Sequence, residues 1–189
     1  AALDALPYVG PSARSRRLAY AQGAPAPSPP CLIISEYLEG AGQYNKAVEV
    51  HNCGAQPIPL ARYGLCLARN DDTTCAAHAR FDAPELAAGA VWLACRKATG
   101  HPASTDPAAP IKQFCDQQMS SVMNFNGNDR VVLFEDLDDD GRMGAADRVV
   151  DAMGVVDQPM TAYALQDILL RRCDFRPQGI EAFDLSRFT

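Results

Sequence analysis

The chain has 189 residues, 48% of them hydrophobic and 21% charged, with a formal net charge of −6 at neutral pH. That length supports one domain with a sizeable core plus an arm, and no apolar run approaches the ~20 residues that span a bilayer. Residues 135–147 hold six acidic side chains against one Arg and carry nearly all the excess charge. The rest is close to neutral, so the basic face of a general polyanion binder is missing, which argues against nucleic acid as partner.

In chain order, residues 1–23 place a basic cluster, ARSRRLAY, among apolar pieces such as LDALPYVG. GAPAPSPP at 23–30 alternates Pro and favours an extended polyproline II linker with no core of its own. Residues 1–30 thus read as an arm and linker ahead of a body at 31–189. The arm is either a disordered terminus or a segment that orders against a neighbouring subunit by strand addition. Residue 1 is Ala, as in a chain trimmed at a small-residue secretory site, although an artificial boundary looks the same.

The body reads as β. CLIISEYLE (31–39), KAVEVHN (46–52), YGLCLAR (63–69), AVWLACR (90–96), RVVLFED (130–136) and RVVDAMGVV (148–156) are strand-like, separated by Gly, Asn, Asp and Pro clusters. DPAAPIKQFCDQQ (106–118) has a helical look, and QDILLRRC (166–173) is ambiguous between helix and strand. Short strands joined by turns predict an all-β antiparallel sandwich with an N-terminal arm.

Seven cysteines are scattered without a C-x-x-C pair, which fits disulfides in an oxidising, extracellular or periplasmic compartment better than structural zinc. Cys66 and Cys75 bracket a short turn that a bridge would close. Cys95 and Cys115 bracket a Pro-containing connection whose closure is worth roughly 3 kcal/mol in the chain-entropy model. Cys53 with Cys173 is a third pairing. Cys31, beside the linker, is then the odd thiol, placed for an intermolecular bond.

The densest chemistry is EDLDDDGRMGAADR, residues 135–148. Counted from Asp136, carboxylates fall at loop positions 1, 3 and 5 (Asp136, Asp138, Asp140). Gly141 is at 6, Arg142 offers a backbone carbonyl at 7, and Asp147 closes at 12. This is the ligand spacing of an EF-hand calcium loop with Asp for the final Glu, because alternate residues of a tightly wound turn point inward and Gly permits the bend. Asp139 falls between ligand positions and points outward. The flanks are strands, not helices, so a Ca2+ staple across a strand connection is expected rather than a sensor. A solvated acidic turn is the alternative.

Ser35-Glu36-Tyr37, Glu39-Gly40, Asn45-Lys46-Ala47, Glu49, Asn52, Leu60, Tyr63 and Leu65 resemble the lamin-tail domain family in its bacterial secreted branch. Phe125-Asn126-Gly127 with Asp129, and Asp151 with Gly154, match its later motifs. The resemblance covers residues 32–189, departs at His51 where the family has Tyr, and leaves the arm and the acidic loop outside. It implies an immunoglobulin-like β-sandwich acting as a non-enzymatic module, found alone or beside secreted enzymes. Read without it, Lys46 neutralises neighbouring carboxylates, while Asn126-Gly127 turns and Asp129 caps the turn. The other reading of the polar cluster Glu36, Glu39, Lys46, Glu49, Asn126 and Asp129 is a second cation or polar-ligand site built from Glu36, Glu49 and Asp129.

His51, His78 and His101 are scattered, and neither a Gly-x-Ser-x-Gly elbow nor a Gly-rich phosphate loop is present, so no catalytic residue is expected. The sequence thus predicts a secreted, calcium-binding structural module that self-associates through residues 1–23 into an extracellular filament or surface layer. The alternative is an accessory module that holds carbohydrate, protein or DNA near a secreted enzyme, with Arg14, Arg16, Arg17, Arg171, Arg172 and Arg176 as a candidate DNA patch. A calcium-dependent hydrolase is the third and weakest reading.

Overall fold

Short apolar runs bounded by turn residues form the strands, and the computed structural model resolves them into a sandwich. It describes residues 30–40, 45–70, 72–96, 111, 114–154, 165–174 and 189. The strands are β1 (Leu32–Glu39), β2 (Lys46–Asn52), β3 (Tyr63–Ala68), β4 (Ala77–Arg80), β5 (Val91–Cys95), β6 (Gln117–Gln118), β7 (Arg130–Glu135), β8 (Arg148–Met153) and β9 (Ile168–Arg171). One sheet runs β6-β5-β2-β1-β9 and the other β4-β3-β7-β8. Every pairing is antiparallel except β5 with β6. The residues that carry the lamin-tail resemblance at 32–67 build β1, β2 and β3. QDILLRRC resolves as strand β9, because Leu170 is buried opposite Tyr37. Of the stretch expected to be helical, Gln117–Gln118 is strand β6, and most of the remainder lies outside the described residues, as does the whole arm, 1–23.

The core lies between the sheets. Leu32, Ile34, Tyr37, Val48 and Val50 face Leu65, Leu67, Val131, Leu133 and Met153 in one buried cluster. At about 25 cal/mol per Å² of apolar surface removed from water, such side chains supply most of the folding drive. A polar pin joins the sheets. The register of β1 shifts between Ile34 and Glu36, which frees backbone groups there for other partners. The Ile34 amide donates to Asp151 Oδ2 (2.8 Å), and the Ile34 carbonyl accepts from Arg172 Nε (2.8 Å). Arg172 also pairs with Asp151 at 2.5 Å, both side chains fully buried.

Three disulfides reinforce the frame. Cys66–Cys75 and Cys95–Cys115 are the pairs expected from their brackets. The third departs from expectation: Cys53 pairs with Cys31, not with Cys173, and Cys173 is the free, exposed thiol. The reason is β1–β2 register. Leu32 lies opposite Asn52, which brings the next residues outward, Cys31 and Cys53, to a Cα separation of 5.0 Å. Cys31 is therefore not available for an intermolecular bond. Such bridges fit an oxidising compartment. Among the described residues, no helix is long and apolar enough to cross a membrane.

Candidate metal centre

The acidic loop is the connection between β7 and β8 and lies over the outer face of the four-stranded sheet. Beneath it, Cys66, Val132, Phe134 and Ala152 form a second apolar cluster, with Cys75, Met143 and Val149 packed on it. The loop folds tightly because Asp139 and Gly141 take left-handed backbone angles, φ 64° and 79°. At Gly141 that conformation carries no Cβ penalty, which is why Gly stands at the bend.

Asp136, at the end of β7, is only 4% exposed. Its Oδ2 accepts from Arg80 Nε (2.5 Å) and from the Gly141 amide (2.9 Å). Its Oδ1 is buried with no hydrogen bond of normal geometry. Asp147 accepts from the Leu137 amide (2.8 Å) and from the Gly144 amide (2.7 Å), one on each oxygen, closing the loop on itself. Asp136, Asp138 and Asp147 each offer a carboxylate oxygen within 4.8 Å of the others. Of the predicted ligands, these three converge. Asp140 does not join that group: its carboxylate turns to the Arg142 amide at 2.7 Å, an Asx-type bond that shapes the turn. Asp139 is 91% exposed at its side chain and lies 2.7 Å from Arg80 Nη1.

The electrostatics follow from this geometry. Burial opposes ionisation of Asp136, but the Arg80 guanidinium and the Gly141 amide outweigh it and hold the carboxyl below the usual carboxylate range. Asp138 is shifted the other way, upward, by desolvation and by the charges of Asp140, Asp147 and Asp136. The loop thus holds one carboxylate stabilised by a cation of the protein and another crowded by like charges.

Two residues of β4 support the loop: Arg80, and His78, whose Nδ1 accepts the Met143 amide at 2.9 Å. Burial, and next the Arg142 charge, push His78 below its ordinary value, favouring the neutral ring this bond requires. Neither residue was singled out for this role by the sequence, since they sit 56 and 65 positions from the groups they hold. Cys66, Cys75 and His78 also lie close together, but the two sulfurs are joined to each other, so no thiolate pair is offered.

The family-motif polar residues do not form one site. Glu36 and Glu49 are cross-strand partners on the outer face of the five-stranded sheet, where Glu36 pairs with Arg171 (2.6 Å) and Glu49 accepts from Ser35 Oγ (2.6 Å). Asp129 is instead held by the Asn70 (2.7 Å) and Asn126 (2.9 Å) amides. Burial outweighs those amides and raises its carboxyl above the usual range. Gly127 has φ 88°, and a Cβ there would meet the Gln166 backbone at 2.5 Å, so the turn needs Gly on both counts. Glu39 and Lys46 form a buried ion pair, with Nζ 5.5 Å from the Phe125 ring centroid. These contacts match the turn-and-neutralisation reading, and the grouping of Glu36, Glu49 and Asp129 as one cation site is not what the geometry brings together. The proposed arginine patch also divides: Arg172 is buried on Asp151, Arg171 is paired with Glu36, and Arg14, Arg16, Arg17 and Arg176 lie outside the described residues.

No protein-family model matches the chain, and no curated protein matches it either.

Proposed function

We propose that this chain is a secreted, non-catalytic β-sandwich module of lamin-tail kind whose β7–β8 connection is stapled by a calcium ion, and that it serves as a structural or assembly unit outside the cell. The observation that carries the reading is the convergence of Asp136, Asp138 and Asp147, with one oxygen of the buried Asp136 lacking a hydrogen bond of normal geometry. A buried carboxylate oxygen costs free energy unless something satisfies it, and a divalent cation does so while relieving the crowding felt by Asp138. Calcium suits the donor set because it takes six to eight hard oxygens in flexible geometry. Three carboxylates supply the charged part, with backbone carbonyls and water completing the shell. The cation would tie the end of β7 to the start of β8, and Arg80 would keep Asp136 aimed.

The disulfides support an oxidising location. The non-catalytic reading is supported by the histidines that are described: His78 is committed to a backbone amide, and His51 lies on the outer sheet face. Isothermal titration of calcium into the full chain tests the proposal. Binding at one site, lost in Asp138→Asn with the fold intact by circular dichroism, is the expected result. No heat and no rise in melting temperature with calcium would refute it.

A second reading, an accessory module that holds a ligand near a partner enzyme, is favoured by a different observation, the open apolar groove on the five-stranded sheet.

A further inference from the structure

The outer face of the five-stranded sheet is mixed, and one part of it carries an apolar stripe beside Glu36 and Glu49. Leu38, Ala47, Leu93, Ile111, Phe114 and Leu169 line a groove together with Glu36 and Glu49. A second groove continues it past Glu36 and Glu49 to His51, Val91 and Arg171. Of the four exposed large hydrophobic residues described, three lie here: Phe114 (67% exposed), Leu169 (53%) and Val91 (46%). An apolar groove bordered by polar groups, as the first of these grooves is, marks an interaction site. Glu49, shared by both grooves, accepts only from Ser35 and has no ion-pair partner among the described residues. A carboxylate amid apolar side chains favours a cation on whatever covers it.

The sequence supplies such an occupant. Residues 1–23 combine apolar pieces (Leu3, Leu6, Tyr8, Val9, Leu18, Tyr20) with Arg14, Arg16 and Arg17, and only Asp4 opposes that charge. We propose that this face is the receiving surface for residues 1–23 of a second copy of the chain, with the arginine cluster over Glu49 and the apolar pieces over Phe114 and Leu169. The arm enters the sandwich at Cys31, fixed to Cys53 at one end of β1 and β2. To lie on its own sheet it would have to reverse direction immediately before Cys31. The Pro-alternating linker 23–30 resists that reversal, because such sequences stay extended over several residues. An extended sequence of this kind spans about 3.1 Å per residue, which favours reach to a neighbour over a turn back onto the same sheet. Arm-to-face contacts of this kind are head-to-tail, and head-to-tail contacts that do not close make filaments.

This inference rests on the assembly part of the proposed function and names its surface. The test uses the full chain, with light scattering across concentration and timed trypsin cleavage at Arg14–Arg17. The wild type should self-associate, and cleavage there should slow as concentration rises. Glu49→Gln and the double variant Phe114→Ser/Leu169→Ser, each checked for an unchanged melting temperature, should weaken association, the double variant about tenfold or more, as expected when central apolar anchors are removed. Self-association that all three substitutions leave unchanged would overturn the surface while sparing the assembly reading. A wild type that stays monomeric and is cut freely would overturn both. Protection independent of concentration but lost in the variants would place the arm on its own chain and overturn the second-copy inference.

Discussion

The two outer faces of this sandwich are treated differently by the same chain. Over the four-stranded sheet, the acidic loop and the Cys66–Cys75 bridge close upon Val132, Phe134 and Ala152, and Phe134 is fully buried although it points away from the main core. Over the five-stranded sheet, Phe114 and Leu169 are left exposed. The difference is one of connections. The β7–β8 loop is long, acidic and anchored by Arg80 and His78 of β4, whereas β1 and β2, which form the centre of the open face, are joined by a short connection at one end. Among the described residues, a segment of defined conformation, held by Arg80 and His78, covers the four-stranded sheet, and none covers the apolar stripe of the five-stranded one.

The comparison depends on a shared interior, so the largest effect should come from breaking that first. Asp151→Ala removes the carboxylate that faces the buried Arg172 guanidinium and that accepts from the Ile34 amide. A loss of about 3–5 kcal/mol is expected by urea unfolding, and a loss below about 1 kcal/mol would show that the pin is not buried as described. The faces themselves are compared by Phe134→Ala and Leu169→Ala. The first removes a ring from a covered cluster and should cost about 3–4 kcal/mol. The second, measured at concentrations low enough to keep the chain monomeric, should fall within about 0.5 kcal/mol of wild type. Equal costs would erase the distinction.

Smaller effects probe how the covered face is held. Arg80→Met keeps the stem but removes the charge on Asp136 and Asp139, and should cost about 1–2 kcal/mol, less than a fully buried pair because the arginine is partly solvated. Hydrogen exchange in residues 136–147 should quicken in that variant, and a loop whose exchange is unchanged would remove Arg80 from its role. The smallest effect is in pH. His78 is shifted below its unfolded value, so its contribution is present in full above the ordinary histidine range and is lost as pH falls through the lowered folded value. Stability should therefore decline from pH 7 toward pH 5, and His78→Gln should flatten that slope. A variant with the same slope as wild type would assign it to other groups.

Much of this arrangement is legible in the residues alone. Alternation in KAVEVHN and the apolar run in RVVLFED give strands, the second buried on both faces, and the spacing of Asp136, Asp138, Gly141 and Asp147 gives a turn with inward carboxylates, because these are patterns of a few residues that the backbone enforces locally. Short brackets likewise give Cys66–Cys75 and Cys95–Cys115. The rest was decided between strands. Which carboxylates converge, and that Asp140 instead binds the Arg142 amide, depends on how the loop settles on β4. Arg80 and His78 become its supports only because β3 pairs with both β4 and β7. Cys31 finds Cys53 because of β1–β2 register, and Arg172 is drawn from a basic RR pair into the interior by the Ile34–Glu36 register shift. The sequence by itself marked most of the strands, the acidic turn and two of the disulfide brackets, since each is written in neighbouring residues, but not β4 or β6, whose strand character depends on their partners. Only the tertiary structure decided which charges are buried, which thiol is left over and which face stays open, since those depend on partners far apart in the chain that meet through sheet register.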